Sequence, residues 1–292
     1  MLLKNECLVC CVKGSLDVAK LATDDEDLQQ QVVRMVLKKL ATMDLCIPPP
    51  LMALFIHQTI EGITGVKDPF KYLKDKYNDF ALQLYPQLLK KGKHADFETA
   101  VRLAIAGNII DFGAHNSVGT QKVLTTIEEA LVVPINGDVA HFQRACEKAK
   151  KILWLADNTG EIVFDKLLLA RLDRTKVIYA VRGGPTQNDA TMEDARYTGI
   201  TKMVKVIDTG AAIPGVILEY CSDQFKQAYH AADLIISKGQ GNFETLDSED
   251  ERIFFLFKAK CPVVADHAGV KLGDIVIKNI GKLLANHCQA AI

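Results

Sequence analysis

Two hydrophobic rhythms divide this chain. Up to about residue 145 the apolar positions recur at helical spacing. Leu28 to Leu40 places Val32, Val33, Val36, Leu37 and Leu40 on one side, the pattern of a helix with one buried face. Pro48-Pro49-Pro50 interrupts it, and a second apolar helix follows from Leu51. Asp68-Pro69 opens another segment, since proline is tolerated in a first helical turn. The stretch from Asp96 to Phe112 is again helical, with Phe97, Val101, Ala104 and Ile105 together.

From Lys151 the rhythm changes. Short apolar runs alternate with helical segments: ILWLA (152–156) then a helix from Glu161, KVIYAVR (176–182) then a helix near Met192, MVKVID (203–208) then a helix around Ile217, ADLIIS (232–237) then a turn and helix, CPVVAD (261–266), and DIVI (274–277). Such alternation predicts βα units in a parallel sheet with helices on both faces. The expected fold class is α/β: a doubly wound, mostly parallel sheet core at 146–292, with a helical amino-terminal region at 1–145 packed on it. In an open sheet of this kind ligands bind beyond the carboxyl ends of the strands, which directs attention to the loops after each run.

Composition narrows the class without changing that picture. The 292 residues are 49% hydrophobic and 24% charged, ordinary values for a folded globular chain. Thirty-five basic against 36 acidic residues leave a net charge of −1, so there is no electrostatic footprint for a nucleic-acid polymer. The longest apolar run, Leu51 to Ile56, is far short of the roughly 20 residues that span a bilayer. The start MLLKNECLVC does not read as a secretory signal. Eight unevenly spaced cysteines do not make a disulfide scaffold. A cytoplasmic protein with reduced thiols and no membrane partner is expected; its oligomeric state is left open.

Three loops carry unusual chemistry. After ILWL stands Asp157-Asn158-Thr159-Gly160-Glu161, two adjacent oxygen-bearing side chains at a strand tip. Turn formation or capping of the next helix by Asp157 or Thr159 explains the same residues. After KVIYAV comes Arg182-Gly183-Gly184-Pro185-Thr186-Gln187-Asn188-Asp189, followed by Thr191-x-x-Asp194 in capping-box spacing, which leaves Asp189 outside the cap. Neighbouring strands would bring Asp157, Asn158 and Asp189 together as an all-oxygen set suited to Mg²⁺ or Mn²⁺. After DLIIS comes Ser237-Lys238-Gly239-Gln240-Gly241-Asn242-Phe243-Glu244. Its glycines permit backbone N–H groups to approach an anion, with Lys238 adding charge, although a tight turn accounts for them equally. A divalent cation beside such a cradle is the equipment of phosphoryl transfer.

Five strings, AGNIIDFG (106–113), LADNTGEIVFDKLL (155–168), VRGGPTQNDATMEDA (181–195), SKGQGNFETL (237–246) and AKCPVVA (259–265), closely resemble the damage-control phosphatase family, formerly a domain of unknown function. Cys7-x-x-Cys10, Gly241-Asn242-Phe243-Glu244 and Lys260-Cys261 together resemble its nucleotide phosphatase I subfamily. The resemblance implies a phosphomonoester hydrolase dependent on Mn²⁺, Co²⁺ or Ni²⁺, with Asp157, Asn158 and Asp189 as metal ligands. It also implies damaged or aberrant nucleotides, or related sugar phosphates, as substrates.

On this reading Lys238 and the backbone from Gly239 to Asn242 receive phosphoryl oxygens, Arg182 clamps phosphate or makes an ordinary ion pair, and Glu244 of the same loop binds substrate or phosphate. Asn108 and Asp111 share a helix face and stand as second-shell groups or as a buried polar cap. Glu161 and Asp165, four apart at the start of the next helix, stand as secondary site candidates or as acidic residues that simply complement the helix dipole. Cys7 and Cys10 lack a second pair at zinc-site spacing, so packed thiols and a subfamily-specific role both stand. Two rivals are a Rossmann-type methyltransferase, which would lack its glycine-rich fingerprint on the first core strand, and a non-enzymatic nucleotide- or metal-sensing module.

Overall fold

The computed structural model describes residues 1–92, 96–109, 120–247 and 250–279. Six helices come first: α1 (Asn5–Ala22), α2 (Glu26–Leu40), α3 (Pro49–Thr64), α4 (Lys71–Gly92), α5 (Phe97–Ile109) and α6 (Thr120–Val132). There follow β1 (Ile135–Asn136), α7 (Val139–Lys148), β2 (Ile152–Leu155), α8 (Glu161–Leu169), β3 (Val177–Val181), α9 (Met192–Tyr197) and β4 (Lys205–Asp208). The chain continues through α10 (Asp223–Ala231), β5 (Leu234–Lys238), α11 (Gln240–Leu246), β6 (Ile253–Lys258), α12 (Pro262–Ala268) and β7 (Ile275–Asn279). The strands form one sheet in the order β1-β7-β6-β5-β2-β3-β4, parallel at every pairing except β6 with β7. The fold is thus mixed α/β with a mostly parallel sheet.

Strand periodicity explains why both faces are covered. Side chains alternate across a sheet, so Ile152 and Trp154 enter one core with Tyr179 and Ile236, while Leu153 and Leu155 enter the other with Ala180 and Ile235. The first core also takes Ala100, Val101 and Phe142, so residues on both sides of position 145 pack in one cluster. Leu3, Ala19, Val32, Val36, Met52 and Ile60 make a separate cluster among α1, α2 and α3. Among the described residues no helix is long and apolar enough to cross a membrane.

Two sequence expectations need correction. CPVVAD is not a strand-like run but the start of α12: Pro262 has no N–H to give a ladder and suits a first helical turn, and Gly269 closes the helix at φ +67. The strand beside it is IFFLFK, β6, which carries aromatics on both faces and so has no polar alternation to reveal it. The helix expected around Ile217 is only a 3-10 turn at Leu218–Tyr220, with α10 starting after Ser222.

The strand order positions the site. From β2 the chain runs outward through β3 and β4, whereas β5, on the other side of β2, leads to β6. The β2/β5 junction is therefore the point where winding reverses, and the loops leaving the two strands splay apart there to open a crevice.

Candidate active site

The three chemically unusual loops meet at this reversal. Asp189 N donates to Thr186 O at 3.1 Å, Ala190 N to Asp157 O at 2.8 Å, and Thr159 N to Asn188 O at 2.9 Å, so Asn158 and Asp189 pair as an antiparallel bridge. This backbone zipper brings Asp157, Asn158 and Asp189 to one cleft of about 170 Å³, which Asn108, Gln240, Gly241 and Lys260 also line. The capping box of Thr191 with Asp194 forms as its spacing suggested, and Asp189 stays outside it.

The amino-terminal helices fasten the loops from behind. Asn78 of α4 is fully buried; its Nδ2 donates to Asp194 Oδ1 at 2.8 Å and its Oδ1 accepts from Gly160 N at 2.9 Å. His57 of α3 accepts from Gln187 N through Nε2 at 2.9 Å and so holds a residue whose φ is +44, uncommon for a residue with a side chain. Sequence reading missed both, because nothing local marks a polar residue that serves a loop over a hundred positions away.

Burial lowers the His57 pKa from 6.5 to about 4, with Lys74 acting in the same direction and Asp68 against it. Between pH 6.5 and about 4 the unfolded chain therefore binds a proton that the folded chain refuses. Stability is complete above that window and declines as pH falls through it, by up to ~3 kcal/mol. Urea unfolding at pH 7 and pH 5 checks this: His57→Leu should show a smaller acid-dependent loss than the wild type. Equal losses would remove His57 from the account.

Within the cleft, Asp157 Oδ2 accepts from Asn108 Nδ2 and Asn158 Nδ2, each at 2.7 Å. The same two amides donate to Glu161 Oε2 at 2.9 and 3.0 Å. Turning either amide over would set its oxygen against two carboxylates, so the network itself fixes which atom is which. The consequence is that each amide oxygen is directed away from the carboxylates. Asn108 Oδ1 is buried and has no hydrogen-bond partner among the described residues. Asp157 keeps Oδ1, 3.8 Å from Arg182 Nη2, and Asp189 Oδ2 accepts from Arg182 Nε at 2.5 Å. Burial first, then the charges of Glu161 and Asp189, pushes the Asp157 carboxyl well above the usual carboxylate range, with Arg182 opposing.

Among the described residues no three His, Cys, Asp or Glu side chains converge on a metal. A cation in this cleft would take amide as well as carboxylate oxygens, and the set of Asp157, Asn158, Asp189 and the orphaned Asn108 Oδ1 fits a hard divalent ion. Two glycines make the arrangement possible. A Cβ at Gly107 would lie 3.0 Å from Phe164 Cβ and 3.2 Å from Glu161 Cα, so its absence lets α5 press against α8 and deliver Asn108. Gly239, at φ +77, sits where a Cβ would fall 1.9 Å from Asp157 Oδ2.

Several expected phosphate contacts are placed elsewhere. Lys238 is fully buried; its Nζ donates to Glu161 Oε1 and Asp165 Oδ1 at 2.6 Å each and to Ala104 O at 3.0 Å. It is not a wall of the cleft, and Glu161 and Asp165 clasp it instead of merely complementing a dipole. Arg182 is also buried, its Nε donating to Asp189 and its Nη1 to Asn242 Oδ1 at 2.9 Å, while Nη2 has no hydrogen-bond partner among the described residues. Asn242 ties strand ends together, donating to Ala156 O at 3.2 Å and Lys238 O at 2.8 Å. Gly239 accommodates Asp157, Phe243 packs between Phe255 and Phe257, and Glu244 lies outside the cleft. Of the motif residues at 237–244 and 259–261, Gln240, Gly241 and Lys260 line it. Asp111 lies outside the described residues.

The chain resembles known proteins along nearly its whole length. Residues 3–276 match the family model of the damage-control phosphatase ARMT1-like domain. A damage-control phosphatase of Pyrococcus horikoshii is 36% identical over 94% of this chain and 97% of its own, and one of Archaeoglobus fulgidus is 34% identical over 93% and 97%. An uncharacterized protein of Methanocaldococcus jannaschii is 35% identical over 94% of each chain. The crystal structure of the DUF89 family protein from Pyrococcus horikoshii superposes with a TM-score of 0.88, covering 96% of this chain and all of that one. With that coverage and the crevice at its sheet reversal, the chain belongs to the damage-control phosphatase ARMT1-like family.

Proposed function

We propose that the protein is a metal-dependent phosphatase that hydrolyses phosphate monoesters of small metabolites, with damaged or aberrant nucleotides or related sugar phosphates as the substrate class. The observation that carries this reading is the convergence of Asp157, Asn158, Asp189 and Asn108 with Lys260 on one small cleft at the strand reversal. Asp157, Asn158, Asp189 and Asn108 would hold a divalent cation, Mn²⁺ first, with Ni²⁺, Co²⁺ or Mg²⁺ as alternatives. Such an ion supplies charge for the phosphoryl oxygens and acidifies bound water.

The protein's own groups do the positioning. Lys260 brings a positive charge to the cleft wall, where phosphoryl oxygens would sit. Gly241 leaves its backbone uncovered in the same wall. Arg182 orients Asp189, and Lys238 orients Glu161, which in turn holds both amides. Release of phosphate from p-nitrophenyl phosphate and from a panel of phosphometabolites, with Mn²⁺ and with chelator, tests the proposal. Turnover restored by Mn²⁺ is the expected result; no phosphate release from any compound with any of the four metals would refute it.

A further inference from the structure

Beside the small cleft lies a second cavity of about 520 Å³, and Gln187, Pro214, Gln240 and Gly241 are walls of both. The cleft, at about 170 Å³, is below the volume of ordinary small-molecule sites, whereas the larger chamber falls within their range. Its walls are largely apolar, Pro49, Ile56 and Pro262 among them, with Glu6 and Glu244 as acidic members, and Cys7, Cys10, Cys11 and Cys261 bring four thiols from the two ends of the sequence. No Lys or Arg is among its described lining residues. The Met1 ammonium is already tied to Glu244 O at 2.5 Å and Asp247 Oδ1 at 2.8 Å.

We propose that this chamber is the leaving-group subsite, and that it selects phosphate monoesters of uncharged, ring-sized organic groups over substrates with a second anionic group. The inference rests on the phosphatase reading and narrows it. A phosphoryl group held between the cation site and Lys260 would have the chamber as the adjoining space for its ester substituent, since the two cavities share walls. There a hydrophobic ring gains by leaving water, while a second phosphate or a carboxylate would lose hydration with no cation to replace it.

The thiols then form a soft apolar wall. Burial raises the Cys7 and Cys10 pKa values and pushes Cys11 up to about 11, which favours their protonated form. Glu244 is the polar specificity group. Burial pushes its carboxyl up to about 7, so near neutral pH it offers a hydrogen-bond donor as well as an acceptor to a ring carbonyl or nitrogen. Gln240, a wall of both cavities, holds the 260–261 backbone beside them, its Oε1 accepting from Lys260 N at 2.7 Å and Cys261 N at 3.2 Å.

The test compares kcat/KM of the Mn²⁺-loaded full chain for 1-naphthyl phosphate, glycerol 2-phosphate and 3-phosphoglycerate. The wild type should favour 1-naphthyl phosphate over 3-phosphoglycerate by at least tenfold. Ala53→Phe and, as a second variant should the first not fold, Cys10→Phe should lower the ratio of 1-naphthyl to glycerol phosphate at least tenfold, through KM. Mn²⁺ affinity measured by electron paramagnetic resonance should stay within twofold of wild type in the folded variant. Cys10→Lys should shift preference toward 3-phosphoglycerate. A wild type that prefers 3-phosphoglycerate, or filled variants that keep the wild-type ratio, would overturn the subsite while leaving the phosphatase intact. A wild type that hydrolyses none of these or any other phosphate ester would bring down the phosphatase reading and the subsite with it.

Discussion

Asp157→Asn is expected to lower kcat/KM with saturating Mn²⁺ by about 10³-fold or more, while the fold survives. In the wild type Oδ2 accepts from the amides of Asn108 and Asn158. An asparagine would meet those donors with its oxygen and turn its NH₂ to the place of Oδ1, so a cation loses both a negative charge and a donor. Several kcal/mol of transition-state stabilisation are involved, and each 1.36 kcal/mol is a factor of ten. Stability should not fall in chelator, because burial and the charges of Glu161 and Asp189 all oppose ionisation of Asp157. Asp189→Asn differs: it strips the carboxylate from the buried Arg182 and should destabilise the fold by ~3–5 kcal/mol. Turnover, Mn²⁺ titration and thermal melting separate the two effects. Wild-type turnover in Asp157→Asn would reject the assignment of this carboxylate.

Lys238→Met should cost about 3–5 kcal/mol of stability, the penalty of leaving buried charge without its partner. In a chain of this size that is a fall in Tm of roughly 10 °C. The Nζ holds Glu161 and Asp165 in a fully buried cluster that Tyr179 OH extends to Asp165 Oδ2 at 2.6 Å. The deficit should shrink toward pH 5. Burial already pushes the Asp165 carboxyl up to about 6 with Lys238 holding it down, so removing the lysine lifts it further. The folded variant then binds a proton more readily than the unfolded chain, and its stability rises as pH falls. Mn²⁺ should also bind more weakly, since Glu161 loses the anchor that sets both amides. Unfolding midpoints at pH 7 and pH 5 give the answer. A variant of wild-type stability whose only defect is weaker inhibition by phosphate would restore Lys238 to direct phosphate binding.

The alternation of apolar runs with helical segments was enough to place the sheet, since period-2 strands covered on both faces leave few architectures open. Strand-tip position likewise picked out Asp157, Asn158 and Asp189, because chain direction alone puts those loops at the carboxyl edge. Lys238 sits away from the cleft for a reason that no local pattern reveals. A lysine next to glycines after a strand looks the same in sequence whether it faces the cleft or the core. Only the packing of α5 and α8 shows that Glu161 and Asp165, one helical turn apart, enclose its ammonium.

β6 shows the same limit in a strand. Buried on both faces, its aromatic run carries no period to read. The sequence by itself determined the fold class and the carboxyl-edge location of the oxygen-rich candidate site, because these follow from local periodicity and chain direction. Tertiary structure decided which charges face a ligand and which face each other. It also joined Asn108, His57 and Asn78 to loops far along the chain, and brought Cys7 and Cys10 to Cys261, because burial and pairing depend on contacts between distant segments that no local pattern encodes.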